Sequence, residues 1–268
     1  RPESLVIIGS GAIGMEFACV YNVFGTKVTV IEMLDRILPV EDEEVSKLAQ
    51  RAFKKQGITF HTNTGVKNID LSGDGGTVTY SPIGEDSKEE TITGEKILIA
   101  IGVAPRCDGL FSDSLGIELD RGFIKTDAKE VETPTYKTNV PGIYAIGDII
   151  GPPLLAHVAS EEAVTCVERM AGHHTFGVDY NSIPGCTYTN PQIASIGMTE
   201  AKVKEAGIDY IKGVYSLKSH GKAIATGATE GFVKLLASKP YGEILGAHII
   251  GNSASELIAE IGLAIRLE

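Results

Sequence analysis

The fold of this chain turns on Leu5-Val6-Ile7-Ile8-Gly9-Ser10-Gly11-Ala12-Ile13-Gly14. Four consecutive apolar residues without alternation read as a parallel strand covered on both faces. The run ends in a G-x-G-x-x-G turn. Behind it, Ile13, Phe17, Tyr21 and Phe24 stand at helical spacing and predict an amphipathic helix stopped by Gly25. A second β-rich strand follows from Lys27 to Ile31, and Glu32 closes it. Strand, glycine turn, helix, strand and acid in this order make a βαβ unit suited to a dinucleotide. Gly9 permits the tight turn, and Gly11 lets the backbone approach a pyrophosphate with no Cβ in the way. Gly14 lets the helix pack close to the strand. The helix N-terminus offers free N–H groups and a positive dipole end to phosphates. Glu32, 18 residues after Gly14, can accept both ribose hydroxyls of adenosine and repels a 2′-phosphate. Arg36 is the one cation nearby and no basic cluster follows, so NAD is expected over NADP.

Moving outward, residues 41–57 predict a second helix. Its acidic run Glu41-Asp42-Glu43-Glu44 complements the positive end and Lys54-Lys55 the negative end. The run reads as a solvated helix start and not as a metal site, with Val45, Leu48, Ala49, Ala52 and Phe53 as the buried stripe. A third strand is expected from Ile58 to His61. Short alternating segments at 66–71, 77–81 and 90–93 are separated by Gly73-Asp74-Gly75-Gly76 and Gly84-Glu85-Asp86-Ser87, which predicts a β-meander. The apolar strand from Lys96 to Ile101 ends at Gly102, where a missing Cβ allows backbone contact with a bound dinucleotide.

Farther on, a short apolar strand is expected to end at Gly147-Asp148, and Ala156-His157 opens a helix to about Ala171. On residue pattern alone Asp148 is equally a turn residue or a ligand contact, and His157 an ordinary helix-start histidine. From Ile183 the texture alternates: strands at 186–189, 194–196, 211–217, 231–238 and 243–250, and a helix at 199–206 capped by Thr199. The last helix opens with a capping box from Ser253 to Glu256 and carries a stripe of Leu257, Ile258, Ile261 and Ile265. A sheet covered by helices with one open face is expected here as a dimerisation unit.

Composition bounds the function. The 268 residues suggest about two domains. With 43% hydrophobic and 22% charged residues the chain is globular, neither disordered nor fibrous. A net charge of −11 with scattered Lys and Arg gives no basic face for nucleic acid. No apolar run approaches the length of a membrane span. Neither nucleic acid nor membrane is an expected partner. Cys19, Cys107, Cys166 and Cys186 stand far apart with no C-x-x-C, as structural thiols of a reduced, cytoplasmic protein would.

Several stretches together resemble the pyridine nucleotide–disulfide oxidoreductases and, within that family, the dihydrolipoamide dehydrogenases. They are Ile8-Gly9-Ser10-Gly11-Ala12-Ile13-Gly14-Met15-Glu16, Val28-Thr29-Val30-Ile31-Glu32, Ile99-Ala100-Ile101-Gly102-Val103-Ala104-Pro105-Arg106, Tyr144-Ala145-Ile146-Gly147-Asp148 and Leu154-Leu155-Ala156-His157. Ile183-Pro184-Gly185, Thr187-Tyr188-Thr189-Asn190-Pro191 and Gly246-Ala247-His248-Ile249-Ile250-Gly251 continue the match in the same order. The resemblance implies an α/β architecture. A Rossmann-like NAD domain with a β-meander would cover residues 1–104, a central segment completing an FAD site 105–174, and an α+β interface (dimerisation) domain 175–268. It carries over Gly9, Ser10, Gly11, Ala12, Ile13, Gly14, Met15, Glu16, Glu32, Val66 and Gly102 as NAD contacts. Asp148 becomes the carboxylate that holds the FAD ribityl chain, and Leu154, Leu155, Ala156 and His157 the segment under the isoalloxazine. Glu16 is placed near the flavin by analogy.

The activity implied is reoxidation of dihydrolipoamide, with hydride passed through FAD to NAD. The partners implied are a lipoyl domain of a 2-oxo acid dehydrogenase complex and a second copy of the chain. The departures are as informative. No two cysteines have the C-x-x-x-x-C spacing, and no histidine precedes a proline. The family's first FAD domain would precede Arg1, and its catalytic His and Glu would follow Glu268. The expectation is therefore a fragment, inactive alone, with no catalytic residue of its own. NADH-dependent thiol, peroxide and mercuric reductases share the pattern, while Glu32 without a basic cluster, together with Gly14, disfavours the NADPH-specific glutathione reductases. The reading from another class is a non-catalytic NAD-binding or dimerisation module. The location implied is the cytoplasm or the mitochondrial matrix.

Overall fold

The computed structural model describes residues 1–84, 88–129, 131 and 133–267, so most of the turn expected at 84–87 lies outside the described residues. The chain opens β1 (Ser4–Ile8), α1 (Ala12–Val23), β2 (Lys27–Ile31), α2 (Glu43–Lys55) and β3 (Thr59–His61). The meander follows as β4 (Thr64–Asp70), β5 (Gly76–Pro82) and β6 (Glu90–Gly94), and then β7 (Lys96–Ile99) returns. β3, β2, β1 and β7 lie side by side in that order, all parallel, with Ile8 opposite both Ile31 and Ile99. Alternate residues of β1 explain its unbroken apolar run. Leu5 and Ile7 join Met15, Ala18, Val45 and Phe53 of the helices, while Val6 packs with Val78 and Tyr80 of the meander.

α1 overturns the expected stripe. Its buried residues are Gly14, Met15, Ala18 and Cys19, whereas Ile13, Phe17 and Phe24 are exposed, Phe17 by 44%. The reason is the approach distance: a Cβ at Gly14 would lie 2.2 Å from the Gly9 carbonyl oxygen. A helix seated that low needs small residues over the turn, so of the expected stripe only Tyr21 packs against the core, and Met15 is the one large residue of the helix buried there.

Residues 103–183 form a separate compact unit. It holds the two-residue strands β8 (Leu119–Asp120) and β9 (Phe123–Ile124), a 3-10 turn at Gly147–Ile150 and α3 (Ala156–Met170). The strand expected before Gly147 reduces to one bridge, Lys137 to Tyr144. A turn at Pro141-Gly142, closed by the Ile143 N–H on the Val140 carbonyl at 3.1 Å, interrupts it.

The chain then adds β10 (Gly185–Thr187), β11 (Gln192–Gly197), α4 (Glu200–Glu205), β12 (Tyr210–Ser216), α5 (Gly221–Thr226), β13 (Phe232–Ser238), β14 (Ile244–Gly251) and α6 (Ala254–Leu267). The sheet β10-β11-β14-β13-β12 is antiparallel throughout. Thr199 caps α4, accepting from the Lys202 N–H at 3.3 Å. The capping box at α6 does not form. Ser253 adopts φ 63° and gives its carbonyl, not its hydroxyl, to the Glu256 and Leu257 N–H groups. An extended Ncap is what would bring the hydroxyl over the helix end.

This sheet belongs to one compact unit with residues 1–102. Ala194, Ile196, Ala247 and Ile249 face α6 through Ala254 and Ile258. The alternate residues Ile193 and Ile250 enter the core built by Val45, Ala49 and Phe53 of α2. The face expected to be open is therefore taken, at its centre, by α2.

Candidate functional site

The glycine turn is shaped by three different constraints. Gly9 holds φ 99°, and a Cβ there would sit 2.4 Å from the Ala100 carbonyl oxygen. Gly14 is closed in by Gly9 itself, as described. Around Gly11 no atom would come within 4 Å of a Cβ, so that position opens onto free space. Ser10 is fully buried, and its N–H and hydroxyl both donate to Glu32 Oε2, at 2.8 and 2.6 Å. The Leu34 N–H donates to Glu32 Oε1 at 2.9 Å. Glu32 is only 8% exposed, yet its donors among the described residues are neutral and none is a cation. Arg36, the nearby guanidinium, is engaged by Asp35 and by the Pro39 carbonyl.

The other nominated residues take varied places. Met15 is buried in the core, Ala12 is half-buried at the helix start and Ile13 is exposed. Glu16 accepts the Tyr188 N–H at 2.8 Å, tying α1 to the segment after β10. Val66 packs against the meander cluster, and Gly102 is exposed at φ 142°. In the separate unit, Asp148 is exposed in the turn at Gly147–Ile150, just before α3. Leu154 and Leu155 are half-buried, Ala156 and His157 exposed. Leu155 stands at the N-cap of α3 and provides no side-chain cap.

Three features were missed from sequence. The first is Glu162, which is buried: Oε2 accepts the Gly147 N–H at 2.6 Å and Oε1 the Tyr180 hydroxyl at 2.7 Å. It fixes the turn that carries Asp148. The available signal was its place at i+4 from Val158 and i−4 from Cys166 on the buried stripe of α3. The second is Leu38, wholly buried at φ 48°, for which the sequence offers no signal.

The third corrects the reading of 41–44 as solvated. Asp42 caps α2 and is 1% exposed, and Lys234, in the middle of β13, is also 1% exposed. Lys234 Nζ reaches Asp42 Oδ1 at 2.8 Å, Glu44 Oε2 at 2.6 Å and Glu200 Oε2 at 2.7 Å. Burial pushes the Asp42 carboxyl up, but the hydrogen bonds from Lys234 and the Glu200 N–H hold it below the usual carboxylate range. Burial likewise pulls the Lys234 ammonium down, and its three carboxylates more than reverse this. Asp42 faces a second segment of the chain, which removes it from water, and Glu41 is half-buried; Glu43, paired with Lys47, and Glu44 remain exposed as expected.

All four cysteines are free thiols. Burial pushes Cys19 up to about 11 and raises Cys166 and Cys186, which leaves these three poorly nucleophilic. Among the described residues there is no group of His, Cys, Asp and Glu able to hold a metal, and no helix long and apolar enough to cross a membrane.

Comparison with known proteins gives the family. Residues 1–163 match the family described as pyridine nucleotide-disulphide oxidoreductase, and residues 183–268 its dimerisation domain. A dihydrolipoyl dehydrogenase of Rhizobium etli is 43% identical over 268 residues, which is all of this chain and 54% of that protein. A mitochondrial dihydrolipoyl dehydrogenase of Pisum sativum is 40% identical over the same length, covering 52% of it. Among solved structures, LpdA from Mycobacterium tuberculosis superposes with a TM-score of 0.87 at 27% identity, covering 99% of this chain and 55% of that one. The chain thus spans about half the length of the relatives it matches. It belongs to the pyridine nucleotide-disulphide oxidoreductase family.

Proposed function

We propose that this chain is the NAD-binding and interface part of a dihydrolipoamide dehydrogenase. The intact protein would oxidise dihydrolipoamide carried on the lipoyl domain of a 2-oxo acid dehydrogenase complex and deliver a hydride to NAD. The observation that carries the reading is Glu32, a buried carboxylate held by neutral donors from Ser10 of the glycine turn and from Leu34, in a chain whose whole length aligns with about half of a dihydrolipoyl dehydrogenase.

The residues fit NAD. The open space over Gly11 admits a pyrophosphate against the backbone, with the α1 N–H groups behind it. A carboxylate offers roughly four acceptor positions, and Ser10 with the Leu34 N–H fills three on Glu32. One ribose hydroxyl can be accepted directly, and a second would compete with the Ser10 hydroxyl. A 2′-phosphate would meet this carboxylate with the Arg36 cation already engaged, which favours NAD over NADP. The residues also fit FAD. Asp148 presents an exposed carboxylate suited to ribityl hydroxyls, and the uncapped start of α3, with Leu154, Leu155, Ala156 and His157, would lie under the ring system.

Bound FAD would supply the two-electron relay between dithiol and nicotinamide. The part of this chain is to bind, orient and screen. Gly9, Gly11, Gly14 and Glu32 hold the adenosine end of NAD, Gly102 and Val66 border it, and Glu162 fixes the turn bearing Asp148. The thiol chemistry belongs to residues outside these 268. We assign residues 1–104 to the NAD domain, 105–174 to the segment completing the FAD site, and 175–268 to the interface that pairs two copies in a homodimer. The compartment is a reducing one, the cytoplasm or the mitochondrial matrix.

The test is an assay of the full-length protein with dihydrolipoamide and NAD, run beside NADP. NAD-dependent turnover supports the proposal. NADH-dependent reduction of a peroxide, another disulfide or mercuric ion, with no oxidation of dihydrolipoamide by NAD, would move the protein to those reductases, and an NADP preference would refute the role given to Glu32.

A further inference from the structure

We propose that Lys234, on the C-terminal sheet, is a positioning residue for the dinucleotide-binding turn and acts through Asp42, Ser46 and Leu38 on Ser10 and Glu32. The inference rests on the reading of that turn as the NAD site. The physical basis is a continuous run of short hydrogen bonds. Lys234 Nζ donates to Asp42 Oδ1 at 2.8 Å, and the same carboxylate oxygen accepts the Glu44 N–H at 3.1 Å, which fixes the first turn of α2. The Ser46 N–H donates to the Asp42 carbonyl at 3.0 Å, and the buried Ser46 hydroxyl donates to the Leu38 carbonyl at 3.0 Å. The Leu38 N–H donates to the Ser10 carbonyl at 2.9 Å. Ser10 then holds Glu32 Oε2 through both its N–H and its hydroxyl.

Two features make this more than a list of contacts. Leu38 is wholly buried at φ 48°, a left-handed conformation that a leucine keeps only when its surroundings over-determine it. Its surroundings are Ser10 on one side and Ser46 and the Glu41 N–H on the other. The segment from Glu32 to Asp42 is thus held at one end by the cofactor turn and at the other by a lysine 192 positions past Asp42. Freeing the Asp42 end lets the strained residue relax, and the position of Ser10 and of the Glu32 carboxylate relaxes with it.

The test uses the full-length enzyme carrying Lys234→Met, Ser46→Ala or both, and measures the Kd for NADH, the KM for NAD, kcat and the thermal midpoint. Lys234→Met is expected to raise Kd and KM by about three- to tenfold, within the range of couplings carried by side-chain networks. At saturating NAD, kcat stays within about twofold, because the reacting end of the cofactor is untouched. Ser46→Ala gives a smaller rise, and the double variant is no worse than Lys234→Met, since a relay can be cut only once. A lowered thermal midpoint with an unchanged Kd in Lys234→Met would overturn the proposal and leave the lysine a structural clasp. Should Lys234→Met fail to fold, an unchanged Kd in Ser46→Ala overturns it. A wild-type enzyme that binds no NADH overturns the site reading together with this one.

Discussion

Glu32 and Asp42 lie ten residues apart on one connecting segment, both are nearly buried, and they are satisfied in opposite ways. Glu32 is surrounded by neutral donors, the N–H and hydroxyl of Ser10 in the turn and the N–H of Leu34. Asp42 meets an ammonium from a distant strand, and the same ammonium is shared with Glu44 and Glu200. A carboxylate kept free of a cation retains its charge for an incoming diol. One matched to a lysine has spent that charge on architecture. The difference separates a ligand group from a structural one more sharply than burial does.

The largest expected effect breaks the architectural half. Lys234→Met strands three carboxylates in and around a buried site and should cost about 3–5 kcal/mol of stability by denaturant unfolding. The loss should depend on pH in a definite sense. Asp42 and Glu200 are held below their ordinary values of 3.8 and 4.5, so their contribution is whole above those values and fades as pH falls through the depressed ones. Lys234 is held above 10.5, so its contribution is whole below that and fades as pH rises through the raised value. Unfolding curves of wild type and Lys234→Met should therefore differ most between these limits and converge in acid; a gap independent of pH would deny the ionic origin.

Next comes the ligand half. Glu32→Gln removes a charged acceptor and should weaken NADH by about 1.5–3 kcal/mol, roughly tenfold or more in Kd by calorimetry. If NADH is unaffected, the contrast between the two acids has no functional content. Gly11→Ala is milder. Nothing lies within 4 Å of the new Cβ, so stability should stay within about 0.5 kcal/mol. NADH binding should nonetheless fall severalfold, because the methyl stands where the pyrophosphate approaches. The smallest effect is expected at Ser253→Ala. A true capping hydroxyl would cost about 1 kcal/mol on removal. Here the carbonyl does the capping, and the midpoint should not move measurably.

The glycine turn, the two strands beside it and Glu32 were legible because their signals are local: a run, a spacing and an acid within 32 residues. The α1 stripe misled because hydrophobic period reports where large apolar residues stand, not where a helix must sit low. Lys234 was invisible for a different reason. A lysine in the apolar run Phe232-Val233-Lys234-Leu235-Leu236 carries no mark of its partner, and the partner is 192 positions away. Glu162 was readable in principle, as an acid on a buried helical stripe, once one asks what it must satisfy.

The core shared by α2 with Ile193 and Ile250 also sets the timing of folding during synthesis. The core of the first hundred residues is complete only when the strand carrying Ile250 has been made. At about 5–20 residues per second, the roughly 150 residues in between take on the order of ten to thirty seconds. For that interval the α2 face has only the cover of β1 and β2, through Leu5, Ile7, Val28 and Val30. Until then Ile193 and Ile250 are missing from one side of that core.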